Sequence, residues 1–286
     1  MVWSVKIKFL VLTDQTILNM SLPEIKAYKL LFALVLIITS FNGYAQKLPV
    51  KQEGSLRAPA SVKIDGKTSE WNFKAYNIAT DVFYTIAHDA ENIYLVIKAA
   101  DESSMRKIIS NGITFKVSSS AKKNDTTAAT ITFPLFNYKN KPAITFTIKS
   151  KPVDSIDYFI AANNKQLTAN GKFLRTRGFT NVDTLLSVYN TAGITIASAF
   201  DKDGNYNYEL AISRKLISPF VNANNGIFYT VIVNGIKLDD MPGVTVTRSD
   251  NGTITAIDVR KSDFRPGLSE GISVPTDFSG EYVFTK

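Results

Sequence analysis

The chain offers few side chains with which to do chemistry. Its 286 residues include one histidine, His88, and no cysteine. A serine nucleophile would need His88 as its base, and no G-x-S-x-G elbow accompanies it. The absence of cysteine removes thiol nucleophiles, disulfides, zinc-thiolate and iron-sulfur sites, and a single histidine removes metal sites built on histidine pairs. His88 and Met105 are of haem-ligating types, but His88 falls in a strand-to-turn segment and Met105 in a predicted helix, with no pocket implied between them. Asp239 and Asp240 are adjacent before Pro242 and do not set up the facing carboxylates of a glycosidase. The run DKDGN from Asp201 starts like a calcium loop, yet its glycine falls fourth and its twelfth residue is Ile212, so a hairpin is the better reading. The residues predict no enzyme, no cofactor and no metal site.

The elements that would carry any site are strands. VKIDG, DVFYTIAHD, NIYLVIKAAD, GITFKVSS, AATITFPLF, AITFTIKS, DSIDYFIAA, GITIASAFD, NYNYELAIS, IFYTVIVNGIKL, GVTVTRS, TITAIDVRK and EYVFTK each show period-two patterning rich in β-branched and aromatic residues. Asp203-Gly204 and Asn251-Gly252 supply hairpin turns. Short helices are expected only over 103–109 and 214–220. With 45% apolar and 11% aromatic residues, the chain can bury a sizeable core. The prediction is an all-β fold, an antiparallel β-sandwich of immunoglobulin or jelly-roll type with one or two short helices.

Residues 1–45 read as a secretory signal. Lys26 and Lys29 precede an unbroken apolar run, Leu30 to Ile38, and Gly43 and Ala45 form a small-residue pair before Gln46. Met20 already opens a complete signal. The apolar run is too short to span a hydrocarbon core, so the expected product is exported, to periplasm, cell surface or medium, with no transmembrane segment. Residues 46–59 are polar and aperiodic and read as a lead-in to a domain over 60–286. The formal charge is +8, of which residues 1–45 carry +2, leaving about +6. The remaining lysines are dispersed and no basic run is interleaved with aromatics, which argues against a nucleic-acid partner.

Four segments, IDGKTSEW, TIAHDAENIYLVIKAAD, MRKIISNGITFKVSSSAKKN and NYELAISRKLI, resemble in that order the landmarks of the family 9-like carbohydrate-binding modules of exported Bacteroidetes proteins. Asp65, Gly66 and Trp71 match the first landmark, a turn followed by a tryptophan. Asp89, Asn92, Tyr94 and Asp101 match the second, and Glu209 and Ile212 the strand that leads into a short helix. The resemblance implies a non-catalytic sandwich that binds a ligand, often a sugar, and allows a structural calcium whose ligands are not assigned. It departs from the family at two points. Sugar binders of this kind clasp a ring between paired tryptophans, whereas Trp71 stands alone after residue 45, and His88 replaces an aspartate.

Trp71, beside a turn and flanked by Phe73 and Tyr76, is read as a fold anchor rather than a stacking platform. Candidate ligand residues must pair aromatic planes with amides or carboxylates. They are Phe136, Asn137 and Tyr138 in FPLFNYKNKP, and Asn205, Asn207 and Glu209, which share one face of NYNYELAIS while Tyr206, Tyr208, Leu210 and Ile212 share the other. The polar face is expected to be solvated unless it binds a ligand. Two functions follow: a saccharide-binding module, or a cell-envelope structural or assembly protein whose partner is another envelope protein.

Overall fold

The computed structural model describes residues 47–122, 125–136, 141–240, 243–260 and 272–285. The signal segment, Asn137 and Tyr138 lie outside these residues. Two antiparallel sheets form a sandwich. The first has five strands in the order β1 (Ala75–Asn77), β2 (Val82–His88), β3 (Asn92–Ala99), β9 (Tyr206–Ser213) and β8 (Ile194–Phe200). The second has six: β13 (Thr276–Val283), β10 (Gly226–Val233), β4 (Ile113–Ser118), β5 (Ala129–Phe133), β6 (Phe173–Arg177) and β7 (Leu185–Ser187). A separate hairpin pairs β11 (Val244–Arg248) with β12 (Ile254–Val259).

The core between the sheets draws on the inward residues of both, among them Ile86, Ile97, Tyr208 and Leu210 from one and Phe115, Ile131, Tyr229 and Val231 from the other. Alternation along the six-stranded sheet is clean: β10 and β5 bury every second residue and half-expose the rest. The five-stranded sheet differs, because β9 buries seven of its eight residues, on both faces.

The second face is buried by the N-terminal segment. Residues 48–74 contain no strand, yet Leu56, Ala58, Val62, Ile64 and Phe73 pack over Trp71, Ala87, Tyr94, Val96 and Ala211 as a second apolar layer. VKIDG, expected to be a strand, belongs to this irregular cover. From Leu48 to Pro59, the lead-in is therefore an integral part of the fold. The Gln52 side chain accepts from the Ile86 N–H at 2.8 Å and donates to the Ile86 carbonyl at 2.8 Å, occupying the edge of β2 beyond the end of β1. One turn further, the His88 N–H donates to the Leu56 carbonyl and the Ala58 N–H to the His88 carbonyl. A backbone edge that would otherwise be orphaned is thus paired without a strand.

Helix α1 (Glu102–Asn111) starts where expected, with Asp101 accepting from the Ser104 N–H at its N-cap. The turn α3 (Arg214–Ile217) and the 3-10 turn Ser218–Phe220 also match. The segment DSIDYFIAA does not: it lies in the 18-residue helix α2 (Val153–Asn170). Preceding ITFTIKS forms no strand and ends in a 3-10 turn. Alternating Ile156, Tyr158 and Ile160 imitate a strand, but the inner face is a helical one on which Ile156, Phe159, Ile160, Asn163, Asn164 and Leu167 are six of the half-buried and buried residues. Two of those six are asparagines, which hid the pattern. Asn163 exchanges hydrogen bonds of 2.9 Å with the N–H and carbonyl of Thr145, and Asn164 does the same with Phe200 at 2.7 and 3.0 Å. Each amide stands in for a strand neighbour.

Candidate functional site

The landmark residues converge on one carboxylate. Glu209 is fully buried on the covered face of β9. Its Oε1 accepts from Trp71 Nε1 at 2.8 Å, and its Oε2 from the backbone N–H groups of Gly66 at 2.8 Å and Asp65 at 3.1 Å. Gly66 is required there twice over. Its φ is +85°, and a Cβ would come within 2.8 Å of the β8 backbone at Ser198 and Ala199. Asp65 closes the turn by accepting from the Lys67 N–H. Tyr94 packs against Trp71 with ring centroids 5.5 Å apart, and its hydroxyl donates to Asp89, whose other oxygen accepts from the N–H groups of Glu91 and Asn92. Trp71, 6% exposed, is spent on holding the cover to the sheet.

The expected solvated row is buried. Asn205, Asn207 and Glu209 are 9%, 1% and 0% exposed, because the N-terminal cover and the hairpin at 201–205 close over them. Burial pushes the Glu209 carboxyl up to about 7, against the pull of its three donors. Asn205 is consumed by the hairpin: its Nδ2 donates to Asp201 Oδ2, and its Oδ1 accepts from Lys149. Phe136 is buried in the core, completing the apolar face rather than offering a platform.

Asn207 is different. Among the described residues, the buried side-chain atoms without any hydrogen-bond partner are the Tyr206 hydroxyl, Asn207 Oδ1 and the Tyr208 hydroxyl, on three consecutive residues of β9. The two phenols point into the inter-sheet core. Asn207 instead lines a cleft of about 470 Å³ on the other side of the strand. The Gly66–Ser69 loop forms one wall and Asp201–Asp203 another. Lys98, the cross-strand neighbour of Asn207, also lines the cleft. Its ammonium lies 5.1 Å from the centroid of the Phe73 ring and 3.7 Å from Asp201 Oδ2, so it is held by an ion pair and a ring face. An acceptor and a donor with unspent capacity thus sit side by side, beneath a loop fastened by Glu209.

Sequence reasoning named Asn207 as a candidate and did not name Lys98, Asp201 or the loop as cleft walls. A signal existed: Lys98 is the one charged residue in the strand NIYLVIKA. His88, fully buried, has both ring nitrogens engaged, Nδ1 by the Tyr282 hydroxyl at 2.8 Å and Nε2 by the Thr285 carbonyl at 3.0 Å. No group of three or more metal-ligating side chains occurs among the described residues, and Asp201 Oδ1 is occupied by the N–H groups of Asp203 and Asn205. No helix of the described residues is long and apolar enough to cross a membrane. The chain matches no family model and no curated protein, so the family resemblance rests on the residues named above.

Proposed function

We propose that the protein is an exported, non-catalytic binding module for saccharides, and that the cleft over Asn207 takes the sugar. The observation that carries this reading is the unpartnered carbonyl of Asn207, buried to 1% exposure at the edge of a cleft whose lining includes Lys98 and Asp201. A buried acceptor left without a donor costs about 1–3 kcal/mol, and a sugar hydroxyl would supply the missing bond. Neighbouring hydroxyls on a pyranose are donors and acceptors at once, matching Asn207 Oδ1, the Lys98 ammonium and the Asp201 carboxylate on one floor. The non-catalytic part is supported by His88, whose two nitrogens are engaged in fold contacts. The ordered landmarks and the leader support export and the family.

The test is titration of the folded chain with a panel of mono- and oligosaccharides, followed by Trp71 fluorescence and calorimetry. Trp71 sits two residues beyond the cleft loop, so a saturable emission change is expected from a sugar that binds. Asn207→Leu should abolish that change while leaving the fold intact. Absence of binding to every saccharide by folded protein, or unchanged binding in Asn207→Leu, overturns the reading; the first outcome would leave the envelope-protein function in its place.

A further inference from the structure

The outer face of the six-stranded sheet carries a second arrangement, independent of the Asn207 cleft. In register, one row crosses five strands as Ser279, Thr230, Lys116, Thr130 and Arg177. The adjacent row ends on Arg175, beyond Thr114 and Thr132. Hydroxyls along these rows bond one another, Thr230 to Ser279 at 2.9 Å and Thr114 to Thr132 at 2.8 Å, and each keeps capacity for a further partner. Over β13, β10 and β4 the face sinks into a groove of about 550 Å³, with Lys51, Lys116 and Lys122 in its lining and half-buried Phe228 among them. Asp277 and Glu281 stand on the β13 side of this groove and Asp125, bonded to Ser118, lies beside Lys116, so among the described residues five cations face three carboxylates across the surface.

We infer that this face binds an acidic polysaccharide lying across the strands. Lys116 on β4 and Arg177 on β6 are two strands apart, about 10 Å at ordinary strand spacing. That suits a chain whose carboxylates or sulfates recur along its length, each met by a cation in turn. Phe228 in the groove and Phe173, 48% exposed at the start of β6, offer apolar planes to the C–H faces of sugar rings. The threonine and serine pairs offer donors and acceptors to ring hydroxyls. The excess of lysine and arginine over acidic residues in the whole chain has the same sign as this surface.

The probes are polygalacturonate, neutral dextran and phosphatidylglycerol vesicles, each titrated against the chain from Gln46 onward, since among the described residues the buried ones begin at Gln52. Polygalacturonate should bind, dextran should not, and raising salt from about 0.05 to 0.5 M should weaken binding by about tenfold or more. Lys116→Glu with Arg177→Glu should lose binding by a similar factor, and Asn207→Leu should leave it unchanged. Should the half-buried Lys116→Glu fail to fold, Lys122→Glu with Arg177→Glu, both at exposed positions, provides the same test. No binding, retention by the reversal variants, equal binding to dextran, or tighter binding to the vesicles would each overturn the inference.

Discussion

The outer faces of the two sheets are built on opposite principles. On the five-stranded sheet, an aperiodic N-terminal segment covers β2, β3 and β9 and fastens itself with a tryptophan, a glycine turn and a buried carboxylate. On the six-stranded sheet, the alternate residues of β4, β5 and β10 are half-exposed, and threonines, cations and one phenylalanine hold that surface. A polar residue is expensive on the first face and cheap on the second. Glu209 is tolerated on the covered face only because three N–H groups converge on it. The unpartnered carbonyl of Asn207 on the same face therefore carries information that a threonine on the open face does not.

The sharpest way to break this contrast is Glu209→Ala, which orphans the buried donors of Trp71 and Gly66 and the half-buried Asp65 N–H, and should cost about 4 kcal/mol in urea unfolding. A loss below about 1 kcal/mol would mean that the cover is not fastened there. The pH dependence comes next. The folded Glu209 carboxyl lies at about 7, above its ordinary 4.5. The native state therefore holds a proton between those values that the unfolded chain has released. The group's stabilising contribution is full below 4.5 and is lost as pH rises through 7, by about 3 kcal/mol. Burial lowers the His88 value below 6.5, so His88 acts with the opposite sign and loses stability as pH falls through that region. Urea midpoints of wild type and Glu209→Gln from pH 4 to 8 separate the two: the variant should keep the His88 dependence alone, and parallel curves would contradict the titration of Glu209.

Trp71→Phe removes one donor and part of the ring contact with Tyr94, and should cost about 2 kcal/mol by the same measurement. Asn207→Leu should go the other way, with a gain of about 1 kcal/mol, because it deletes an orphaned acceptor and keeps the volume. On the open face, Thr132→Ala should stay within about 0.5 kcal/mol. Equal costs for Trp71→Phe and Thr132→Ala would dissolve the distinction between the faces.

Much of the fold was legible because β-strands announce themselves by period, and the hairpins at Asp203-Gly204 and Asn251-Gly252 by their turn residues. The cover was not, since residues 48–74 pack without any period: Gln52 replaces a strand partner with a side-chain amide, which no spacing rule reveals. Helix α2 was hidden for a related reason, asparagines standing at two positions of its inner face. The short strands β1, β6 and β7 were also missed. Trp71 as an anchor was readable from its place beside a turn, but its partner Glu209, 138 residues away, was read as a surface group. Alternation along β9 separated its two faces correctly and could not say that something covers the second.

His88 gives the fold one more property. Residues 55–58 lie against its backbone, and its ring holds Tyr282 and Thr285; the Tyr282 hydroxyl in turn accepts from the Leu56 N–H, and the Thr285 hydroxyl donates to Ser55. Residues 55–58 and 282–285 are thus tied at one knot. Fraying, which in most domains starts at whichever terminus is looser, here has to release two segments together, so the sandwich should open as a whole rather than peel from one end.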